Sequence, residues 1–399
     1  MFFIQWNIPL SCNVILTANF ATDKINKILE DKRLRQSMKQ TPLYEIHVAL
    51  KGKIVDFAGW ELPVQYSGVI NETKAVRTSM GLFDVSHMGR FWIDGPQAND
   101  FLNWIHSNDV ANMKYGKAKY GLICNEQGGI IDDAIVYRLS ETRHLLVANA
   151  ANANAIHQWL LSWQEKRYKN VSITPAEELP GMIAFQGPDA LNTLSKLLTS
   201  SQIAEMRPFS LVIENFQGQD LYVARTGYTG EDGVELMLGT SAAVSLWTNL
   251  IDLGVTPCGL GSRDTLRLEA ALPLHGNEIT IETTPVEAGL ARFLSYNSEF
   301  CGSKYIQNIS ETGPVTRLIG FATASRGPIP RHDAPIKSAG EIVGTVTSGS
   351  YSPTLDRNIG LGYVSATADL SKNNLVVAVR DKEVEIEQVN LPFYSRKER

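Results

Sequence analysis

The chain has 399 residues and a formal net charge of −5, with 44% hydrophobic and 20% charged residues. One hydrophobic core stops growing at about 250–300 residues, so two or three domains are expected. The composition excludes a largely disordered or fibrous chain, and the mildly acidic balance leaves no broad basic footprint for nucleic acid. The four cysteines, Cys12, Cys124, Cys258 and Cys301, form no C-x-x-C pair and are too sparse for a disulfide framework, so a reduced cytoplasm fits them. The seven histidines show no H-x-x-x-H or H-E-x-x-H spacing, and a metal site lacks its usual ligands.

Residues 1–22 carry no charge, and the following segment to Lys39 is mostly basic. A signal peptide places its positive residues before the apolar stretch, not after it. Gln5, Asn7, Pro9, Asn13 and Asn19 interrupt that stretch, which argues against a membrane span. Residues 1–38 therefore read as an N-terminal extension, a leader or a start placed too early. Next, Val69, Val76 and Met80 follow helical spacing up to Gly81. A loop, Asp84-Val85-Ser86-His87-Met88-Gly89, leads to a short strand at Phe91-Trp92-Ile93. Asp94-Gly95-Pro96 opens a helix with Ala98, Phe101, Leu102 and Ile105 on one face. A hairpin follows: a strand at Tyr120–Cys124, a turn over 125–129 and a return strand at Ile130–Tyr137. Three later helices are marked by Ile156, Trp159, Leu160 and Trp163, by Leu191, Leu194 and Leu198, and by Val244, Trp247 and Ile251. After Pro314 the runs 318–323, 342–347, 359–364, 375–379 and 384–389 predict a small antiparallel barrel. The expected architecture is α+β, with a body of two intertwined subdomains over 39–312 and a β-barrel domain over 313–399.

Three places invite chemistry. On the return strand, period-2 alternation puts Asp133 with Ile131, Ile135 and Tyr137, and Asp132 with Ile130, Ala134 and Val136. At least one carboxylate then lies among apolar side chains, which is costly unless it is paired or used. A plainer role is an Asp bonded to the turn backbone at the strand start. The second place is Arg225-Thr226-Gly227-Tyr228-Thr229-Gly230-Glu231-Asp232-Gly233-Val234-Glu235, which is neither a phosphate loop nor a dinucleotide fingerprint. Its glycines bend the chain and admit a flat ligand. Tyr228 offers a ring, and Glu235 sits on the strand that follows. The third is Gly259-Leu260-Gly261-Ser262-Arg263-Asp264, where Arg263 near a helix start binds a carboxylate or carbonyl in a fork, or else pairs with Asp264 or Glu269. No G-x-S-x-G supports a serine nucleophile.

From about Thr41 to Tyr394 the chain resembles the T-protein family of the glycine cleavage system, folate-dependent aminomethyltransferases. The words that carry the resemblance are Val55–Pro63, Gly81–Gly89, the Asp-Asp hairpin, Ala184-Phe185-Gln186-Gly187-Pro188, the Tyr228 loop and Gly344–Pro353. The resemblance implies a three-domain, cloverleaf-like arrangement with a central folate channel. It implies transfer of the methylene of an aminomethyl-lipoyl group, carried by a partner H-protein, to tetrahydrofolate, with release of ammonia and dihydrolipoyl H-protein. No metal, nucleic acid or membrane is implied, and a cytoplasmic location is. By position, Asp133 matches the family's catalytic acid, and Tyr228, Glu235 and Arg263 match residues that hold folate. Met88, Trp92, Tyr120 and Asn149 match pocket-lining positions, and Tyr394 matches a C-terminal tyrosine assigned to substrate. A carboxylate suits the paired donors of a reduced pterin edge, which fits Glu235. Asp133 then stabilises charge developing on the methylene or moves a proton; both remain open. The H-protein's lipoyl-bearing surface is acidic in the family, so Lys114, Lys117 and Lys119 are candidates for a basic patch. The alternative is a non-catalytic folate-binding relative that aids iron–sulfur assembly, but its Lys-Gly-Cys-Tyr-x-Gly-Gln word is absent. Demethylase-type relatives usually carry a flavin domain, whose dinucleotide fingerprint is also absent.

Overall fold

The computed structural model describes residues 38–323, 327–370, 375–380 and 382–396. The expected extension, residues 1–38, lies outside the described residues except for Met38. In chain order the strands are β1 (Ile54–Phe57), β2 (Trp60–Pro63), β3 (Gly81–Asp84), β4 (Gly89–Asp94), β5 (Lys117–Cys124), β6 (Ile130–Arg138), β7 (Arg143–Ala148), β8 (Ser172–Pro175), β9 (Gly181–Gln186), β10 (Leu211–Phe216), β11 (Gln219–Ala224), β12 (Gly233–Leu238) and β13 (Thr256–Pro257). The C-terminal strands are β14 (Thr316–Thr323), β15 (Pro335–Ser338), β16 (Glu341–Ser352), β17 (Arg357–Ser365), β18 (Leu375–Val379) and β19 (Lys382–Val389).

Strands β5-β6-β7-β4-β8 form one antiparallel sheet, and β10-β11-β12-β9-β3-β13 form another in which only the short β3–β13 pair is parallel. The two sheets face each other across a shared core of Phe83, Trp92, Tyr137, Leu145, Val147, Met182, Ala184 and Met237. Helices cover the outer faces, because their apolar residues recur every three or four positions. Ala98–Ile105 buries Ala98, Phe101, Leu102 and Ile105, and Ala153–Arg167 buries Ile156, Leu160 and Trp163, both against the first sheet. Ala190–Leu198 and Thr240–Asp252 cover the second sheet through Leu194, Leu246, Trp247 and Leu250. The order is thus helix, sheet, sheet, helix.

Strands β14-β17-β16-β15-β18-β19 close into a barrel around Ile319, Phe321, Ile336, Val346, Val364 and Val377. The sequence pattern shows five of these strands. It misses β15, whose four residues include a proline and are too few to display alternation. The barrel grips the helix Leu260–Glu269. Leu268 packs on Ala322, Ile359 and Leu361, Arg267 donates to Ser348 Oγ at 2.8 Å, and Ser352 and Thr354 donate to the Glu269 carboxylate. Among the described residues, no helix is long and apolar enough to cross a membrane.

One local detail matters for the site. The β5–β6 ladder pairs Ile123 with Asp132 but Cys124 with Ile130, leaving Ile131 as a bulge. Beyond Asp132 the expected alternation holds: Ala134 and Val136 join the helix-covered core, and Ile135 and Tyr137 join the core between the sheets. Before the bulge it does not. Ile131 packs with Ala134 and Val136, and Ile130 joins Leu122 and Cys124 in a separate cluster. The turn itself needs its glycines for two reasons. Gly128 has φ +79°, whereas at Gly129 a side chain would meet Ile281 O at 1.8 Å.

Candidate functional site

The inward face of β6 carries Asp133, and the inward face of β12 carries Glu235. On β12, Val234, Leu236 and Leu238 belong to the outer core, so Glu235 shares the opposite face with Met237. Both acids therefore look into the space between the sheets. There they border a cavity of about 170 Å³, together with Met88, Tyr120, Asn149, Tyr228 and Arg263.

Each functional side chain is held by a definite partner. The Asn149 amide donates to Asp133 Oδ1 at 2.6 Å and to Asp132 Oδ1 at 2.8 Å, and its backbone N–H donates to Asp132 Oδ2 at 3.0 Å. Glu235 accepts from Thr226 Oγ1 at 2.5 Å, and Thr226 in turn accepts from the Tyr137 hydroxyl at 3.0 Å. The Tyr228 hydroxyl donates to Pro273 O, and the Arg263 guanidinium lies 4.9 Å from the Tyr228 ring centre. Arg263 pairs with neither acid near it in sequence. Asp264 binds Arg267 and Glu269 binds Arg77.

The Tyr228 loop is shaped from behind by Gln186, a fully buried residue at the end of β9. Its amide donates to Thr226 O at 3.1 Å and to Val234 O at 3.2 Å, and its oxygen accepts from Thr229 Oγ1 at 2.9 Å. Gly227 crosses directly over this amide, where a Cβ would stand 2.0 Å from Gln186 Oε1. Its role is close approach.

Electrostatics set the protonation states. Burial pushes the Asp133 carboxyl up to about 7, the neighbouring Asp132 charge adds to the rise, and the nearby Tyr120 hydroxyl and the hydrogen bond from Asn149 oppose it. Burial raises Asp132 and Glu235 as well, the latter against its bond from Thr226. Burial also keeps the phenols of Tyr120 and Tyr228 neutral. His87 is pushed down to about 4 by burial, so it is a neutral ring packed edge-on against Phe57 and lies apart from any nucleophile–base pair. Two cavity groups are left with unmet hydrogen-bonding capacity. The Tyr120 hydroxyl and Arg263 Nη1 are buried without a well-formed partner among the described residues. Buried polar atoms of this kind are normally satisfied, and here both face the cavity.

Seven of the nine residues singled out from sequence border the cavity: Met88, Tyr120, Asp133, Asn149, Tyr228, Glu235 and Arg263. Trp92 and Tyr394 do not. Trp92 is 3% exposed in the core between the sheets, with Nε1 donating to Glu178 and Arg143 stacked 4.1 Å from its ring. Tyr394 lies behind the Tyr228 loop. Its ring is 4.0 Å from the Arg77 guanidinium, and its hydroxyl donates to Glu231 Oε1 at 2.6 Å. Of the three lysines, Lys119 is turned onto the Asp109 carbonyl, Lys117 is half-buried and Lys114 is exposed. Phe209, Arg292 and Phe293 also border the cavity, and nothing in their sequence surroundings marks them. Thr226 lay in view within the loop word, two residues before Tyr228.

The proteins this chain is similar to are one-carbon transferases. Two family models span the chain: the GCVT N-terminal domain over residues 43–298 and the glycine cleavage T-protein C-terminal barrel domain over residues 316–395. An aminomethyltransferase of Symbiobacterium thermophilum is 41% identical over 370 residues, which cover 90% of this chain and 98% of the relative. One of Desulforamulus reducens is 42% identical over 367 residues, covering 90% and 99%. The crystal structure of glycine cleavage system aminomethyltransferase T from Bartonella henselae superposes with a TM-score of 0.84 at 35% identity, covering 90% of this chain and 98% of that one. The chain belongs to the glycine cleavage T-protein family and is an aminomethyltransferase. These relatives do not favour the non-catalytic alternative.

Proposed function

We propose that the inter-sheet cavity binds tetrahydrofolate and that the chain transfers to it the methylene of an aminomethyl-lipoyl group carried by H-protein. Ammonia and dihydrolipoyl H-protein are the other products. Bound tetrahydrofolate supplies the ring nitrogen that accepts the one-carbon unit. Glu235 offers a buried acceptor to the parallel donors of a pterin edge, Tyr228 and the Arg263 guanidinium form its wall, and Arg263 Nη1 and the Tyr120 hydroxyl donate to it. Asp133 orients the acceptor amine, and its charge stabilises the positive charge that grows on the methylene as ammonia departs. Holding the two reactants in line accounts for up to about 7–11 kcal/mol of the barrier. Proton movement at Asp133 adds roughly 10²–10⁴-fold.

The observation that carries this reading is convergence. The buried Glu235 carboxyl, the half-buried Asp133 carboxyl and two buried donor atoms without well-formed partners meet in one cavity. The free, buried Cys124, Cys258 and Cys301 suit a reducing compartment such as the cytoplasm. We also assign residues 39–312 to the transferase body and 313–399 to the barrel domain.

The test pairs binding with turnover. Glu235→Gln removes a charged acceptor, a loss of about 1.5–3 kcal/mol or roughly 10- to 100-fold in the tetrahydrofolate dissociation constant. Calorimetric titration of the folded variant measures it, and an unchanged constant overturns the role of Glu235. Ammonia release from aminomethylated H-protein, measured with and without tetrahydrofolate, tests the reaction itself.

A further inference from the structure

We propose that Asp132, which does not border the cavity, is a positioning residue of the reaction: it locks the Asn149 amide so that its N–H, rather than its carbonyl, meets Asp133. This rests on the reading of Asp133 as the acid at the reacting centre.

Asp132 is fully buried. Its strand neighbour Asp133 points to the other face of the sheet, so Asp132 has no route to a ligand between the sheets. It nevertheless accepts three hydrogen bonds: from the Asn149 backbone N–H, the Asn149 amide at 2.8 Å and the Asn152 amide at 3.1 Å. The same Asn149 Nδ2 reaches Asp133 Oδ1 at 2.6 Å. A carboxylate is an acceptor only, so two carboxylates on one nitrogen leave the asparagine a single tolerable orientation. Without Asp132, that orientation rests on Asp133 alone, through Oδ1 and a longer contact at 3.3 Å to its backbone carbonyl. The flipped amide would set a carbonyl oxygen against Asp133.

The link is electrostatic as well as geometric. The groups that face the two acids are Tyr120 from β5, Tyr228 from its loop, His275 towards Asp132, and the two acids towards each other. Of these, the Asp132 charge is the one that pushes Asp133 upward, beyond the effect of burial. Removing that charge by itself moves the ionisation of Asp133 to lower pH.

The experiment follows ammonia release from aminomethylated H-protein across pH, alongside tetrahydrofolate affinity. In Asp132→Asn, loss of the charge alone would lower the Asp133 ionisation, whereas release of the Asn149 amide raises it by removing a donor. The inference is therefore read in the split between kcat and affinity: kcat falls at least about tenfold, with the folate dissociation constant within twofold of wild type. Infrared titration of the Asp133 carboxyl in the free enzyme, which needs no turnover, finds it no lower than in wild type. Asn152→Ala, which removes one donor from Asp132 and none from the cavity, should lower kcat by less, and covers the case in which Asp132→Asn does not fold. An Asp133 carboxyl that titrates clearly below wild type in Asp132→Asn, with kcat unchanged, overturns the inference. If instead Asp133→Asn keeps full turnover, the reading of Asp133 itself has failed, and the two failures are distinct.

Discussion

Replacing Asp133 by asparagine changes its charge and almost none of its shape. The Asn149 amide keeps an acceptor, because an asparagine oxygen can stand where Oδ1 stood. The folded protein holds the Asp133 carboxyl at about 7, against an ordinary 3.8. Folding therefore favours its protonated form. The sign follows: an acid raised in the folded state stabilises the fold most below its unfolded value, and that contribution disappears as pH rises through the folded value. The gap of about three units corresponds to at most about 4 kcal/mol at pH 8, roughly 3 at pH 6 and under about 1 at pH 4. Asp133→Asn carries no such charge. The ligand-free variant is thus expected to be more stable than wild type at pH 8 by up to about 4 kcal/mol, with the two converging towards pH 4, while turnover is lost. Urea unfolding at pH 4, 6 and 8 measures this. A variant of equal or lower stability at pH 8, with a difference that ignores pH, would refute the reasoning, because burial of a charge would then not be what sets the Asp133 carboxyl.

Other consequences concern the frame around the cavity. Arg77 is almost fully buried against Glu269, donates to Thr229 O at 2.7 Å and also meets Glu231. Arg77→Ala strands a buried carboxylate and should cost about 3–5 kcal/mol by chemical denaturation; a loss below about 1 would show that Ser352 and Thr354 suffice for Glu269. Tyr394→Phe removes a single bond to Glu231 at a half-buried position, so about 1 kcal/mol is expected, with a modest rise in KM for tetrahydrofolate and little change in kcat. Gly227→Ala drives a methyl group onto Gln186 Oε1 and should destabilise by about 1–3 kcal/mol while weakening folate binding. A wild-type melt with normal binding would mean that the loop moves freely.

Legibility in the sequence follows the range of the interaction. Period-2 and period-3.6 patterns are local, so the Asp133 hairpin, the helix around Phe101 and five barrel strands could be read directly. The face of Asp133 was readable too, because Ile135 and Tyr137 continue its alternation. The bulge at Ile131 was not, since two adjacent isoleucines satisfy either register. Pairings between distant segments left no local trace. Glu235 gains its depth from β9, through Ala184, and Arg77 gains its importance from residues at 229, 231, 269 and 394. Trp92 stands on the face of β4 that looks into the core between the sheets, and it is spent there on packing and on Glu178. The Tyr394 side chain reaches the site through Arg77 and Glu231, and its backbone N–H bonds the Glu269 carbonyl, connections visible only after the barrel has been docked.

That division has a mechanical meaning. The two acids ride on β6 and β12, each hydrogen-bonded along both edges, by β5 and β7 in one case and by β11 and β9 in the other. Groups on such strands hold position to within a fraction of an ångström more readily than groups on loops. Tyr228 and Arg263 come instead from a loop and a helix, and their stiffness is borrowed. Gln186 ties the loop to β9 and β12, Arg77 ties it to the helix Leu260–Glu269, and the barrel holds that helix from outside. Perturbing the borrowed supports should therefore change how well the ligand is held, and perturbing the strand-borne acids should change what happens to it. If Arg77→Ala, in protein that remains folded, lowered kcat as steeply as Asp133→Asn and left folate affinity untouched, this separation of holding from reacting would be wrong.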